Sequence, residues 1–249
     1  MQVIISPAKT MKPVDACQYH LSNPLLHSDM IPIVNHFLEL DTDQWAKHFK
    51  ISPSLAQTAR DRLNKINTDQ KYPAILAFQG DVYKQIFQTA PSQQALAWAQ
   101  DHIGIISSLY GYLRPLDQIA LHRMEMDRTK LSSPHISLVD YWKPKVTQLL
   151  NDLIIKKDHK LVVNLASNAY SEVIDQKQLN ADWINIHFRQ QKEEKLNNIG
   201  MMAKRARGMM VQFIIDHRID SAGGLLAFNH GGYSFQPELS SETDYYFVK

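Results

Sequence analysis

Short apolar segments alternate with amphipathic helical segments along the chain, and this alternation constrains the fold more than any other feature. Gln2–Ile5, Ala74–Phe78, Ile103–Ser107 and Leu161–Leu165 are largely apolar runs of strand length, bounded by proline, glycine or polar residues. Strands that alternate with helices usually form one sheet that the helices cover. The pattern therefore predicts an α/β protein.

Later segments indicate that the sheet is mixed. Trp183–Phe188 and Leu196–Met201 have the composition of two strands joined by the polar residues 189–195, which predicts an antiparallel hairpin. Tyr233–Phe235 and Tyr245–Val248 are expected to be edge strands. Since no linker or repeat divides the chain, we expect a single domain over residues 1–249, with a mixed sheet surrounded by helices.

Hydrophobic periodicity and capping residues predict the helices that cover this sheet. The expected helices are 29–40, 42–66 with a break near Lys50–Pro53, 91–101 with Pro91 at its start, Asp140–Ile155, a short helix capped by Ser167 or Asn168, and Ala203–Ile219.

Composition excludes several classes of protein. The 249 residues include 27 Lys and Arg against 25 Asp and Glu, so the net charge of +2 excludes a wholly basic, histone-like protein. The single cysteine, Cys17, excludes an internal disulfide, and no apolar run approaches the roughly 18–20 residues that cross a bilayer. We expect a cytoplasmic protein with no membrane partner, no cofactor and no metal-ligand set, because nucleotide-binding and zinc motifs are lacking.

Residues 46–59 suggest a helix-hairpin-helix, a DNA-binding element in which hairpin amides and a helix N-terminus hold a phosphate. Lys50, Ile51 and Ser52 would form the hairpin, with Lys47 adding positive charge. Both glycines usual in such hairpins are replaced. A plain helical hairpin with Ser52 as an N-cap is the alternative.

Arginines, carboxylates and tyrosines concentrate after two of the predicted strands, where ligands of α/β sheets usually bind. Residues 78–83 and 107–126 carry Asp81, Tyr83, Tyr110, Tyr112, Arg114, Asp117, Arg123 and Glu125. The arginines are suited to phosphate, Tyr83 and Tyr110 to stacking on a base, and Asp81 and Glu125 to general acid–base catalysis. An internal Arg–carboxylate network with core tyrosines is an equally good interpretation.

Local charge indicates a one-sided basic surface. Residues 43–71 carry a net charge of +3 and residues 189–218 of +4, whereas residues 219–249 carry −3. Lys204, Arg205 and Arg207 lie near the start of the helix predicted over 203–219, where cations oppose the helix dipole and indicate an anionic partner. Lys9, directly after the first strand, is a further candidate contact.

Six segments together resemble one family. In chain order they are Ile-Ser-Pro-Ala-Lys-Thr (5–10), Ala-Ile-Leu-Ala-Phe-Gln-Gly-Asp-Val-Tyr (74–83), Leu-Tyr-Gly-Tyr-Leu-Arg-Pro-Leu-Asp (109–117), His-Arg-Met-Glu-Met (122–126), Val-Asn-Leu-Ala-Ser (163–167) and Ala-Lys-Arg-Ala-Arg-Gly-Met-Met (203–210). They are similar to the YaaA family of peroxide-stress proteins. The resemblance covers nearly the whole chain. Asn168 and Ala169 depart from it, since the family often has an acidic pair there, and His122 often corresponds to tyrosine.

The resemblance implies a bacterial cytoplasmic protein of the hydrogen peroxide response that limits intracellular free iron and DNA damage. It implies an unusual α/β fold with a helix-hairpin-helix element near 42–66 and a basic cleft that binds double-stranded DNA, with no obligate protein partner. Carried over by position, the cleft residues are Lys9, Arg114, Arg123, Lys204, Arg205 and Arg207.

Three functions follow as alternatives, and the sequence leaves open whether any reaction is catalysed. The first is a DNA-binding stress protein. The second is a glycosylase-like enzyme that processes damaged bases, with Asp81 and Glu125 as catalytic groups. The third is a protein that sequesters Fe(II) through carboxylates and His122, which local ligand spacing does not favour.

Overall fold

A central mixed β-sheet organises the molecule, as the alternation of segments predicts. The computed structural model describes residues 1–15, 19–126, 130–132, 135–193 and 195–249, so Cys17 lies outside the described residues. The strands are Gln2–Ile5 (β1), Thr10–Met11 (β2), Tyr72–Pro73 (β3), Phe78–Gln79 (β4), Ile103–Ser107 (β5), Gly111–Leu113 (β6), Gln118–Ile119 (β7), Lys130–Ser132 (β8), His135–Ser137 (β9), Leu161–Asn164 (β10), Asp182–Lys192 (β11), Lys195–Asn197 (β12), Ser234–Phe235 (β13) and Asp244–Val248 (β14). Within the described residues, eight of these strands form the main sheet, in the order β13-β14-β11-β10-β1-β5-β6, with β12 paired to β11.

Helices pack around this sheet to form one compact domain. They are Ile31–Leu38 (α1), Thr42–Phe49 (α2), Pro53–Asn64 (α3), Ala74–Ala77 (α4), Gln93–His102 (α5), Leu138–Lys156 (α6), Asn168–Ser171 (α7), Gly200–His217 (α8) and Ala222–Leu225 (α9). Short 3-10 turns occupy His27–Met30, Tyr83–Gln85, Gln176–Gln178, His230–Gly232 and Pro237–Leu239. None of the helices in the described ranges is long and apolar enough to cross a membrane.

The strand β1 lies at the centre of the sheet because its four residues are apolar or buried on both faces. It pairs in parallel with β10 on one side and with β5 on the other. Its residues Val3, Ile4 and Ile5 have no exposed surface. Such continuous apolar runs are typical of parallel strands covered on both faces by helices.

The mixed character of the sheet is confirmed, with changes in detail at its far side. β11 and β12 form the expected antiparallel hairpin, but β11 extends to Lys192 and β12 ends at Asn197, because the next helix already begins at Gly200. The strand expected at the edge, β14, instead lies inside the sheet, because β13 covers its outer side.

The strand predicted over Ala74–Phe78 is wrong, since Ala74–Ala77 form a turn of helix. The amides of Ala74 and Ile75 donate to the carbonyl groups of Asp117 and Pro115, so a neighbouring loop satisfies the start of this turn. A short apolar run fits a buried helical turn as well as a buried strand, and here the neighbouring loop decides.

Candidate functional site

The described residues form a cavity of about 420 Å³ at the carboxyl ends of β1 and β10, where ligands of α/β sheets usually bind. The loop after β1, the segment after β4 and the first half of α8 line it. Six of the residues predicted from the sequence meet in its wall: Lys9, Asp81, Tyr83, Glu125, Lys204 and Arg207.

Glu125 stands between two cations on one side of the cavity. Its side chain is only 8% exposed, and its carboxylate accepts a hydrogen bond from Lys9 Nζ at 2.8 Å. An Arg123 guanidinium nitrogen lies 3.6 Å from the other carboxylate oxygen. The buried carboxylate is thus compensated by two cations, as a buried charge requires.

Asp81 and Tyr83 line the cavity on either side of Val82, whose backbone packs against α8. Asp81 is 3.9 Å from the guanidinium of Arg205, which is a weak contact between partly exposed groups. The hydroxyl of Tyr83 donates to the carbonyl oxygen of Ser6 at 2.8 Å. Burial raises the pKa of Tyr83 well above its ordinary value, and the nearby Tyr170 raises it further, so the hydroxyl stays protonated.

Helix α8 brings three cations to the rim and wall of this cavity. It begins at Gly200, three residues before the predicted start, so Lys204, Arg205 and Arg207 lie beyond its first turn. The helix dipole therefore affects these three cations less than the sequence predicts, because its effect falls off within the first turn. Lys204 and Arg205 are exposed, whereas Arg207 is half-buried.

Arg207 has no counter-ion among the described residues. Its Nε atom is buried without a hydrogen-bond partner, and within the described ranges no carboxylate lies within 4.0 Å of its guanidinium. Burial lowers the pKa of Arg207, and repulsion from Arg189 adds to the shift. A buried unpaired charge is costly, and it points to a partner that completes the site.

The residues of the predicted hairpin are not among the described residues that line the cavity. Lys50 adopts the left-handed conformation, with a φ of 52°, and ends α2. The amides of Lys50 and Ile51 both donate to the carbonyl oxygen of Ala46, and the amide of Leu55 donates to Ser52 Oγ. These amides are therefore occupied inside the protein, and a phosphate-binding helix-hairpin-helix is not confirmed. Lys47 lies exposed on α2.

Two further candidates lie apart from the cavity in internal networks. Arg114 donates to Asp117, whose carboxylate is fully buried, with a closest separation of 2.8 Å. Tyr110 is 2% exposed against the ring of His122, and its hydroxyl accepts from the Ala120 amide. A base would reach Tyr110 only if the core opened, so base stacking by Tyr110 stays a prediction.

Two serines at the cavity were not predicted from the sequence. Ser6 follows β1, and Ser167 follows β10 after a short loop; the Ser167 amide donates to Ser6 Oγ at 2.9 Å. The two hydroxyl oxygens are 3.3 Å apart. Their position directly after adjacent parallel strands is the signal that would have identified them.

Metal binding finds no ready site in the part of the chain that the structure describes. No group of three His, Cys, Asp or Glu side chains there has a geometry that could hold a metal ion. His122, a candidate for Fe(II), is buried, and its Nδ1 lies 2.9 Å from the carbonyl oxygen of Ala120. Direct Fe(II) sequestration stays a hypothesis.

A larger hollow, of about 1060 Å³, lies at the opposite edge of the sheet. Its wall includes Asp101, Asp182 and Asp220 together with Lys157 and Lys160. The charges there are mixed in sign, and none of the residues predicted from the sequence to bind or catalyse lines it. The smaller cavity is therefore the better candidate site.

Comparison with known proteins identifies relatives of the whole chain. A family model described as "Peroxide stress protein YaaA" matches residues 1–239. A UPF0246 protein of Francisella tularensis subsp. novicida (strain U112) is 36% identical over 250 residues, covering 97% of both chains. A UPF0246 protein of Francisella philomiragia subsp. philomiragia is also 36% identical over 250 residues, with the same coverage.

Proposed function

Because the chain belongs to the family of the peroxide stress protein YaaA, we propose that it serves the peroxide stress response as a cytoplasmic protein that binds double-stranded DNA. Its phosphate contacts are Lys9, Arg123, Lys204, Arg205 and Arg207, around the cavity at the sheet edge. Membership of this family supports a role in the peroxide stress response.

The excess of positive charge at the cavity carries this proposal. Of the described side chains, five cations line or adjoin it, against two carboxylates, Asp81 and Glu125. Lys204 and Arg207 have no carboxylate within 4.0 Å among the described residues. Cations that are left without internal partners at one edge are typical of a surface that contacts nucleic-acid phosphates.

Charge reversal at exposed positions of α8 tests the proposal. Lys204→Glu combined with Arg205→Glu should weaken duplex binding and reduce the slope of log K against log salt by about 2, because each phosphate contact contributes about 0.9. Lys156→Glu combined with Lys177→Glu is the matched control, since both lysines are exposed and the change in net charge is the same. If both double variants lose affinity equally, the binding surface lies elsewhere.

A second candidate function is a glycosylase-like reaction on damaged bases, which the two carboxylates in the cavity favour. Asp81 and Glu125 line the same cavity as Lys9 and Tyr83. Oligonucleotides with oxidised or deaminated bases test it. Product formation by the wild type that is lost in Asp81→Asn or Glu125→Gln supports it, and the absence of any cleaved or abasic product at saturating protein contradicts it.

The family resemblance implies that the protein limits free iron. If the protein acts by binding DNA, this effect on iron is indirect. Anaerobic titration calorimetry with Fe(II) tests this. Stoichiometric binding of Fe(II) by the purified protein would contradict an indirect effect and favour sequestration.

A further inference from the structure

The guanidinium of Arg207 requires an anion that none of the described residues supplies. Arg207 lines the cavity, its Nε is buried, and it makes no hydrogen bond or ion pair with any described residue. A guanidinium presents five N–H donors in a fork that matches two oxygens of a phosphate or carboxylate. The chain thus places a strong anion-binding group where water has limited access.

Close packing of α8 holds this group at the cavity. Gly208, the next residue, lies so near to the turn after Asp81 that an added Cβ would sit 2.1 Å from the carbonyl oxygen of Val82. A helix in such contact with the backbone beneath it has little freedom to shift. The guanidinium of Arg207 is therefore presented to the cavity by the packing of the fold.

The floor and rim of the cavity add donors for the same anion. Ser6 and Ser167 bring two hydroxyl groups to the carboxyl ends of β1 and β10. Lys204, one turn before Arg207 on α8, brings an exposed ammonium group to the rim. Hydroxyl, ammonium and guanidinium donors in one cavity are typical of phosphate sites.

Size and the remaining charges restrict what carries the phosphate. A cavity of about 420 Å³ is large enough for a small organic ligand rather than phosphate alone. Asp81 and Glu125 line it too, and they would repel a second anionic group while accepting hydrogen bonds from amino or hydroxyl groups. The side chain of Tyr170 adds an aromatic surface to the lining.

We propose that this cavity binds one nucleotide that carries a single phosphate group, with the phosphate on Arg207 and the sugar and base toward the carboxylates. The nucleotide is either free or part of a DNA strand. The inference goes beyond the proposed binding of duplex DNA, because it gives the cavity a ligand of its own.

Titration calorimetry of the full chain with the four deoxynucleoside monophosphates tests the assignment. We expect a Kd below about 1 mM for at least one of them, and affinities at least about tenfold weaker for the matching nucleoside and triphosphate. Arg207→Gln should weaken binding by at least about tenfold, whereas Arg218→Gln, at the exposed far end of α8 and outside the cavity lining, should change it less than about threefold. No saturable heat up to about 5 mM with any of the four would overturn the proposal.

A second variant keeps the test decisive if Arg207→Gln does not fold. Ala169 is a half-exposed residue of the cavity lining, so Ala169→Glu places a third carboxylate there without removing a core group. This variant should abolish nucleotide binding. Undiminished affinity in folded Ala169→Glu would overturn the assignment.

Competition distinguishes the two sources of the nucleotide and separates this inference from the proposed function. A monophosphate that displaces a duplex with a one-nucleotide bulge, but not a fully paired duplex, indicates that the cavity takes a nucleotide of a strand. Monophosphate binding without displacement indicates a free nucleotide. Duplex binding without any monophosphate binding overturns only the cavity assignment, whereas the reverse result overturns only the duplex proposal.

Discussion

Replacing Gly208 with alanine tests how closely α8 is held against the segment beneath it. Alanine normally stabilises the interior of a helix by about 1 kcal/mol relative to glycine. Here the added Cβ would lie 2.1 Å from the Val82 carbonyl oxygen and 2.8 Å from Gln85 Cβ, whereas ordinary contacts begin at 3.4 Å. The helix or the turn would have to move by roughly 1 Å, and overpacking of this kind costs about 1–3 kcal/mol or more.

Because the overlap is with a backbone oxygen, the upper end of this range applies, and a cost of about 3 kcal/mol exceeds the gain in helix propensity by about 2 kcal/mol. We expect Gly208→Ala to lower the free energy of unfolding by about 2 kcal/mol, which corresponds to a fall in Tm of about 4–8 °C for a chain of this size. Because the displacement moves Arg207, monophosphate affinity should also fall in the folded variant. Urea denaturation and calorimetric titration of the same sample measure both effects.

Gly200→Ala is the matched control in the same helix. A Cβ at Gly200 meets nothing within 4 Å, so the free energy of unfolding should stay within about 0.5 kcal/mol of the wild type. A Gly208→Ala variant that is as stable as the wild type, or more stable, would refute the close packing. A destabilised variant with unchanged nucleotide affinity would show that Arg207 does not depend on this contact.

Three further predictions concern charged or strained residues. Burial lowers the pKa of His122 to about 4, so the neutral ring contributes its full stabilisation above pH 6.5 and loses it as the pH falls toward 4. Urea denaturation should show that the free energy of unfolding falls by about 3 kcal/mol over this window in the wild type but not in His122→Gln. Lys50→Gly should raise the free energy of unfolding by about 1 kcal/mol because it relieves a φ of 52°, whereas Lys65→Gly, at an ordinary φ of −97°, should give no such gain; equal effects in denaturation would contradict this. Arg114→Ala should lower the free energy of unfolding by about 3 kcal/mol because it leaves the buried Asp117 carboxylate without its cation, and Arg114→Lys should lower it less. Duplex affinity should not change, and weakened duplex binding by folded Arg114→Ala would instead favour a contact between Arg114 and DNA.

The sequence was sufficient to predict the parts of the fold that depend on local pattern. Gln2–Ile5 and Ile103–Ser107 are strands with the predicted bounds, because a short β-branched run between breakers has few other ways to be buried. The run at Ala74–Phe78 lacks that information. Its five apolar residues include two alanines and fit a helical turn as well as a strand, and hydrogen bonds to residues 115 and 117 decide between the two.

The sequence was not sufficient to predict which strands pair with each other across the sheet. β14 joins β11 in parallel, with Phe188 beside Phe247, and nothing local to either segment specifies that partner.

The residues of the candidate site are subject to the same limit. The sequence places several arginines near carboxylates, but only the structure shows that Arg114 pairs with Asp117 whereas Arg207 has no partner among the residues described. Burial of a charge is a property of the packed molecule.

The central position of β1 has a consequence for synthesis of the chain. Val3 pairs with Ile103 on one side and with Val163 on the other, so neither neighbour exists when β1 is made. At about 5–20 residues per second, a ribosome leaves β1 without its first partner for roughly 5–20 s and without its second for roughly 8–30 s. We expect this largely apolar segment to be bound by chaperones during that interval, and its pairing to limit the rate of folding.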